Sequence, residues 1–366
     1  MTQILIVQLD SLGEIIHALP AARSIRAAHP RARLVWAVDE AYADLLQAQP
    51  WLDDVIGWDR RRWRGFGEFA RRVRQAGCDV AIDFQASWRS GLVAGLSGAA
   101  RRIGYRPSLE LAHLFYNDCV PLDTLELHAV ERNLALAARL TSQSHGPPLK
   151  RPYLTDAAPH ESAEGPGLFE LHPTAADVAA VDAWCRRRGF RPDQRLVALN
   201  PDGPHSSHRW PPEKYTQLAR RLLRQPDVRV VLVGGTGSHS ICDEVAEPLG
   251  EAVWRADGRF RSLAASVLLA RAAVMVSGDS GVLHLAVAVG TPVVGLFGPS
   301  HALRTGPYAS DAAVLQRHLS CSPCFARRCP LKYDPPLCLD EISVERVFAR
   351  VLSRLAQPRE AIRRAA

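Results

Sequence analysis

A polar turn at Asp279-Ser280-Gly281 carries the clearest chemical signal in the sequence. The surrounding residues 274–299 predict a strand, this turn, a helix and a second strand. The first N–H groups of a helix have no intrahelical partner and the helix N-terminus is positively polarised, so such a turn can bind an anion. His284 follows one helical turn later, toward the same end. The pattern indicates a phosphate site, and an ordinary βα turn with a capping Asp or Ser is the alternative.

Four cysteines crowd into one short segment in the spacing C-x2-C-x4-C-x8-C, namely Cys321, Cys324, Cys329 and Cys338. The other four of the eight cysteines are scattered along the chain. In a reducing cytosol, this clustering favours a metal site over disulfides. A tetrathiolate site would suit structural zinc or iron and would hold a Pro-rich loop that lacks a core of its own. Free thiols, or a disulfide in an extended loop, are the alternative.

The elements that must position these groups alternate between strand and helix. The first half predicts four strands, at residues 4–9, 33–38, 55–57 and 80–84. The second half restarts with a strand at 195–200, repeats the alternation and ends in an amphipathic helix at 342–355. Regular alternation of this kind is typical of doubly wound parallel sheets, here two in tandem with a ligand cleft between them.

A Pro-rich stretch with little periodicity, at about residues 142–170, separates the two halves. We predict an N-terminal Rossmann-like domain over 1–165 and a linker over 166–194. A C-terminal Rossmann-like domain over 195–340 follows, with the Cys-rich loop at 319–339, and residues 341–358 form the final helix.

Composition limits the class of protein. A chain of 366 residues with 47% hydrophobic content is long enough for two domains with cores. The net charge of +7, from 45 Lys and Arg against 38 Asp and Glu, suggests anionic partners: phosphorylated substrates, an acidic membrane surface or nucleic acid. No secretory signal and no apolar run of about 18 residues is visible, so we expect a cytosolic chain whose membrane contact is peripheral.

Several common chemistries lack their motifs. The sequence has no Walker A motif and no Gly-x-Ser-x-Gly nucleophile elbow, and its one partial dinucleotide fingerprint lacks the third glycine. It also has no Asp-x-Asp pair, which counts against a transferase that chelates its nucleotide through a divalent metal.

Several ordered motifs resemble glycosyltransferase family 9, the ADP-heptose:lipopolysaccharide heptosyltransferases, and most of all its heptosyltransferase I group. The resemblance covers nearly the whole chain. The matching pieces are residues 4–20, Asp83-Phe84-Gln85 with Arg89-Ser90, residues 114–117 and 128–132, Arg209-Trp210-Pro211, Gly234-Gly235, and Asp279-Ser280-Gly281 with His284.

The resemblance implies a GT-B fold, in which two Rossmann-like domains face a central cleft. The acceptor would bind the N-terminal domain and the nucleotide-sugar the C-terminal one, and the final helix would cross back to the first domain. The implied reaction is metal-independent, inverting transfer of heptose from ADP-L-glycero-D-manno-heptose to a lipopolysaccharide inner-core acceptor of the Kdo-lipid A type. The enzyme would work at the cytoplasmic face of the inner membrane, without nucleic acid. A GT-B enzyme with a different donor or acceptor, and a noncatalytic nucleotide-sugar-binding homologue, are the alternatives.

Such a transfer needs a base for the acceptor hydroxyl, and the candidate is Glu14. The family carries an Asp after Gly at this position, so the Glu moves the carboxylate by about one methylene. Asp10 is the second candidate base, and a helix-capping carboxylate is the structural alternative for Glu14.

The predicted donor site combines the Asp279 turn with two further loops. In the family, the loop at 202–209 supplies a Lys where this chain has His208, so the charge is expected to shift to Arg209. Glycines after a strand let a ligand approach the backbone. The full predicted set is Ser206, Ser207, His208, Arg209, Gly234, Gly235, Thr236, Asp279, Ser280, Gly281 and His284.

The predicted acceptor site draws on the N-terminal motifs and on arginines that can bind carboxylates and phosphates. Its residues are Ser11, Gly13, His17, Arg60, Arg61, Arg62, Arg64, Gln85 and Arg132.

Overall fold

The computed structural model describes residues 2–60, 65–121, 127–141, 168–309 and 312–356. Its contacts divide the chain into two units, Met1–Lys150 and Arg151–Ala366. The dividing point and the predicted boundary at residue 165 both lie outside the described residues.

The first unit is a six-stranded parallel sheet in the order β3-β2-β1-β4-β5-β6. Its strands are β1 (Gln3–Val7), β2 (Arg33–Asp39), β3 (Asp54–Trp58), β4 (Val80–Asp83), β5 (Arg101–Arg106) and β6 (Asp118–Pro121). Its helices are α1 (Leu12–Ala28), α2 (Ala43–Gln47), α3 (Phe66–Gln75), α4 (Trp88–Leu96) and α5 (Ala129–Ala137). The run Ile4 to Val7 is fully buried, because a parallel sheet is covered on both faces.

The second unit repeats this topology, with the sheet order β12-β11-β10-β7-β8-β9. Its strands are β7 (Arg195–Asn200), β8 (Val228–Leu232), β9 (Val253–Arg255), β10 (Ala272–Gly278), β11 (Val293–Phe297) and β12 (Ala313–Gln316). Its helices are α6 (Ala175–Arg187), α7 (Pro212–Leu222), α8 (His239–Ala246), α9 (Ser262–Arg271), α10 (Gly281–Ala288), α11 (Ala302–Thr305), α12 (Leu337–Asp340) and α13 (Val344–Leu355).

Both sheets reverse their strand order at one point, between β1 and β4 in the first unit and between β10 and β7 in the second. Loops leaving the carboxyl ends of the two central strands diverge there, which opens the crevice where doubly wound folds bind ligands. The predicted strand-turn-helix-strand unit of residues 274–299 is confirmed as β10, α10 and β11.

Two predicted elements can be located within the second unit. The predicted linker 166–194 contains α6, which begins in a capping box between Thr174 and Asp177 and packs on α9. The predicted final helix is α13, which packs on α7 and β10 and buries Val344, Val347 and Val351 in that core. Its crossing to the first domain stays a prediction.

Candidate functional site

The crevice of the second unit is built around the amide of Asn200, the last residue of β7. Strand register places Asn200 opposite Ser277 of β10. The Asn200 Nδ2 atom donates hydrogen bonds to the hydroxyls of Ser277 and Ser280, each at 3.0 Å. This amide therefore fixes the start of α10 to the first strand of the same sheet.

Ser280 is the N-cap of α10, and its Oγ accepts a hydrogen bond from the Leu283 N–H at 3.3 Å. The helix begins at Gly281, so the first N–H groups of α10 point out of the helix end into the crevice. The predicted turn is thus present as a capped helix N-terminus, and its anion binding stays a prediction.

Asp279 and His284 form a pair beside this turn. The His284 ring is 4% exposed, and its Nε2 atom lies 3.5 Å from Asp279 Oδ1. Thr305 donates to the other carboxylate oxygen at 3.1 Å. Burial alone would raise the pKa of Asp279, but the hydrogen bonds and charges of His284, Ser300 and His208 together outweigh burial and lower that pKa. Asp279 is therefore ionised, and its role is to orient His284 and the turn.

The loop at 202–209 is tied to its neighbours through Asp202. One carboxylate oxygen of Asp202 pairs with the Arg209 guanidinium at 2.8 Å, and the other accepts a hydrogen bond from Ser238 at 2.7 Å. The predicted charge of Arg209 is consequently paired with a carboxylate within the protein. Burial lowers the pKa of His208, so its imidazole is neutral at pH 7.

The two serines of this loop differ. Ser206 is exposed, whereas Ser207 is buried and its hydroxyl donates to the carbonyl of Ala326 at 2.6 Å. Ser207 thus holds the Cys-rich loop rather than offering a free donor to a ligand.

Gly278 lets the same loop approach the end of β10. A Cβ atom at this position would lie 2.7 Å from the carbonyl oxygen of His208, which is a backbone atom and not a movable side chain. The close approach brings the loop and the helix start of α10 to one place.

We expect Gly278→Ala to lower the free energy of unfolding by at least about 1 kcal/mol, because the added methyl forces two backbone segments apart. Gly237→Ala is the matched control, since a Cβ there meets nothing within 4 Å. Urea unfolding of both variants checks the difference. Equal stabilities would show that the 202–209 loop gives way freely.

Gly234, Gly235 and Thr236 follow β8, and Gly235 and Thr236 are exposed. The carbonyl of Gly234 accepts a hydrogen bond from the Gly258 N–H at 2.9 Å. Gly258 borders an open cavity of about 640 Å³, whose other walls include His239, Asp257 and Phe260. The predicted glycines therefore lie next to a space large enough for a ligand.

In the first unit, Gln85 joins the loops that follow β4 and β1. Its Oε1 accepts from the N–H groups of Leu9 and Asp10, at 2.8 and 3.2 Å, and its Nε2 donates to Asp10 Oδ2 at 2.8 Å. The other carboxylate oxygen of Asp10 pairs with Arg60. The Asp10 carboxylate thus has a protein partner on each oxygen, Gln85 on one and Arg60 on the other.

Asp83 fixes the backbone of the loop that carries Gln85. Its Oδ1 accepts from the backbone N–H groups of Gln85 and Ala86, at 2.9 and 3.1 Å, and Tyr116 donates to its Oδ2 at 2.6 Å. The side chain is fully buried, and burial raises the pKa of Asp83 to about 6.

Glu14 occupies the first turn of α1 and is partly exposed. Its N–H donates to the Oγ of Ser11, the N-cap, at 3.3 Å. Glu14 and Arg132 both act electrostatically on the buried phenol of Tyr105, whose hydroxyl donates to the Arg132 carbonyl at 2.6 Å. The Nε atom of Arg132 is buried and has no hydrogen-bond partner among the described residues. Glu14 and Arg132 therefore both lie close enough to the Tyr105 phenol to act on it electrostatically.

Other predicted acceptor residues are placed differently. His17 is 2% exposed and packs edge to face on His128 at 5.0 Å, so it lies in the interior between α1 and α5. Gly13 is buried within α1, and Arg60 also pairs with Asp39. Arg61, Arg62 and Arg64 lie outside the described residues. Direct contact of the His17 side chain with an acceptor is not supported by this burial.

The four clustered cysteines line one small cavity, although in the part of the chain that the structure describes no three of them stand in a ready-made metal-binding group. None of the eight cysteines forms a disulfide. No helix in the described ranges is long and apolar enough to cross a membrane.

Sequence reasoning missed four residues that organise these sites: Asn200, Ser277, Asp202 and Asp83. Asn200 and Asp83 end apolar strands, and a polar residue at that position was the available signal. Their partners could not be read from the sequence, because the pairing depends on which strands are neighbours.

The chain is similar to known proteins over most of its length. Residues 66–333 match the family model described as glycosyltransferase family 9 (heptosyltransferase). The chain is 27% identical to lipopolysaccharide heptosyltransferase 1 of Pseudomonas aeruginosa, over 97% of this chain and 99% of that protein.

Two solved structures show the same fold. ADP-heptose lipopolysaccharide heptosyltransferase II of E. coli superposes with a TM-score of 0.75 at 23% identity, covering 97% of this chain and 98% of that one. E. coli heptosyltransferase WaaC with ADP gives a TM-score of 0.70 at 21% identity, covering 96% and 100%. The predicted α/β fold class of GT-B type is confirmed.

Proposed function

The chain belongs to glycosyltransferase family 9, and on this basis we propose that it transfers heptose from ADP-L-glycero-D-manno-heptose to a lipopolysaccharide inner-core acceptor of the Kdo-lipid A type. The transfer inverts the anomeric centre and needs no metal in the chemical step. One observation carries the proposal. Each unit places a candidate group at the point where its strand order reverses: a carboxylate in the first unit and a helix N-terminus in the second.

The donor binds the second unit. The diphosphate lies at the start of α10, against the Gly281 N–H and the Ser280 hydroxyl, and the nucleoside enters the cavity beside Gly258. The family, and the ADP bound in the similar WaaC structure, support an ADP-linked sugar.

The negative charge of the diphosphate is stabilised mainly by the backbone N–H groups at the start of α10. Arg209 already pairs with Asp202, and His208 is neutral. Preorganised N–H groups can stabilise the charge that develops on the leaving diphosphate, since they need no rearrangement during the reaction. This distribution replaces the lysine that the family usually places in the 202–209 loop.

Glu14 is the base. Asp10 is held by Gln85 and paired with Arg60, whereas in the described part of the chain Glu14 is anchored through its backbone N–H and not through its carboxylate. The Glu14 carboxylate takes the proton of the acceptor hydroxyl while that oxygen attacks the anomeric carbon of heptose. The bond from this carbon to the diphosphate oxygen breaks on the opposite side, and ADP leaves with the bonding electrons.

The acceptor binds near Glu14, where the buried Arg132 Nε offers a hydrogen bond to a carboxylate or phosphate. Binding of a lipid-linked acceptor brings the protein to the cytoplasmic face of the inner membrane as a peripheral protein.

We expect Ser280→Ala to weaken ADP binding about tenfold, because the variant loses a hydroxyl at the diphosphate and loosens the helix start. Isothermal titration with ADP checks this. Ser343→Ala is the matched control: Ser343 caps α13 through the same contact, its Oγ accepting from the Arg346 N–H at 3.3 Å. Equal losses of ADP affinity in the two variants would show that the N-terminus of α10 does not bind the diphosphate.

The proposed donor is tested with a panel of ADP-, GDP- and UDP-linked sugars, reading nucleotide release in the presence of Kdo2-lipid A. We expect turnover with ADP-heptose and little with the others. Turnover with another donor alone would keep a glycosyltransferase and change its substrate. Binding without any turnover would indicate the noncatalytic homologue.

A further inference from the structure

The segment between β12 and α12, residues 317–336, has neither helix nor strand. Three of its large apolar side chains face solvent: Phe325, Leu331 and Tyr333 are each about half exposed. Local hydrogen bonds, such as that from the Phe325 N–H to the Pro299 carbonyl at 2.8 Å, are the main contacts that fix its course. The segment therefore lacks an apolar core that would stabilise it.

Four cysteines lie beside one another in this segment and at its C-terminal end. Cys321, Cys324, Cys329 and Cys338 all line one small cavity of about 20 Å³, enough for roughly one sphere the size of a water molecule. Cys338 is buried in the folded unit, and its Sγ packs against Gly298, 2.7 Å from where a Cβ on that glycine would lie. The other three belong to the irregular segment, so the cavity lies between the loop and the sheet.

We propose that these four cysteines bind one divalent, thiophilic metal ion, Zn²⁺ or Fe²⁺, in a tetrahedral site. Four sulfur ligands without an open position are the donor set of a structural ion, with Zn–S distances of about 2.3 Å. The thiols release their protons to solvent on binding, and no oxidation is involved.

The sulfur atoms are not yet gathered around one point, so binding requires rotation about the Cα–Cβ bonds of the loop cysteines. These residues are partly exposed, and such rotations are inexpensive there. Coordination then ties three loop positions to Cys338, which supplies the stabilisation that the missing core does not.

The site bears on the donor loop as well. Ser207 both lines the cysteine cavity and donates its hydroxyl to Ala326, which lies between Cys324 and Cys329. By fixing the cysteine segment, the metal therefore positions Ser207 through its hydrogen bond to Ala326, and with it the neighbouring Ser206 and His208. This consequence rests on the proposed function, whereas the metal site itself does not.

The experiment is metal analysis of the full-length protein, expressed without a polyhistidine tag and purified both in air and under anaerobic conditions. We expect close to one zinc or iron per chain by inductively coupled plasma mass spectrometry. Cys321→Ser with Cys324→Ser should remove most of it. Cys185→Ser is the control, because this buried cysteine lies outside the cluster, and it should keep the metal.

Cobalt provides a readout that does not depend on the variants folding. Wild-type protein stripped with a chelator and given Co²⁺ should show the visible bands of tetrahedral thiolate coordination. Wild-type protein with less than about a tenth of an ion per chain in both preparations, and no such bands, would overturn the proposal, as would two disulfides among the four cysteines by mass spectrometry.

We further expect the double Ser variant to melt about 5–10 °C lower, while turnover per folded molecule changes less. Unchanged melting with lost turnover would contradict a structural role. Loss of transfer activity in a wild-type protein that still binds metal would count against the proposed function alone.

Discussion

Glu14→Gln should lower kcat about 10²- to 10⁴-fold and leave ADP affinity unchanged. The amide cannot take a proton from the acceptor hydroxyl, and removing a positioned general base costs a rate factor of about that size. The proposed donor site is formed by residues of the second unit, whereas Glu14 belongs to the first. Steady-state transfer kinetics with ADP-heptose and Kdo2-lipid A, together with ADP titration, measure both quantities.

Two further variants make this result specific. Glu213→Gln is the matched control: Glu213 also lies in the first turn of a helix after the first strand of its sheet, but it is exposed. We expect near wild-type kcat from it, which separates base catalysis from a general effect on the helix dipole. Asp10→Asn should raise KM by loosening the Gln85 contact, with a smaller effect on kcat. The largest kcat loss in Asp10→Asn would instead assign the base to Asp10.

The stability contributed by Asp83 should fall by about 3 kcal/mol between about pH 3.5 and pH 7.5. Burial raises the pKa of Asp83 from 3.8 to about 6, so the folded protein holds this proton more tightly than the unfolded chain. The favourable contribution is complete below the unfolded pKa and is lost as pH rises through the folded pKa. Because other carboxyl groups titrate in the same range, the measured quantity is the difference between wild type and Asp83→Asn.

Denaturant midpoints of both proteins across this pH range check the slope. Asp118→Asn is the sign control. Burial alone would raise the pKa of Asp118, but Arg101 and Arg139 outweigh it and lower that pKa, so its contribution should grow as pH rises. Parallel curves for wild type and Asp83→Asn would mean that Asp83 is ordinarily ionised in the folded protein.

Much of the fold was predictable because the strands of parallel sheets are continuous apolar runs. The strand at 195–200 was predicted with both ends correct. The helix α6 was missed inside the predicted linker, although its Thr174 and Asp177 form a capping box that the sequence displays. Pro-rich neighbours dominated the interpretation there.

The site was predictable as a set of loops but not as a set of contacts. The turn at Ser280 follows from local pattern, because a helix start needs only its own residues. The pairing of Arg209 with Asp202, and of Arg60 with Asp10, depends on loops that only the folded sheet brings together. His17 was assigned to the acceptor from a motif, yet it faces the interior because its position on α1 is the one that meets α5.

The most direct test of the account is product analysis after incubating wild-type protein with ADP-L-glycero-D-manno-heptose and Kdo2-lipid A. We expect a lipid heavier by one heptose, with inverted anomeric configuration by NMR and one ADP released for each product, and product formation at least about a hundredfold slower with Glu14→Gln. ADP release without a heptosylated lipid, or equal product from Glu14→Gln, would contradict it.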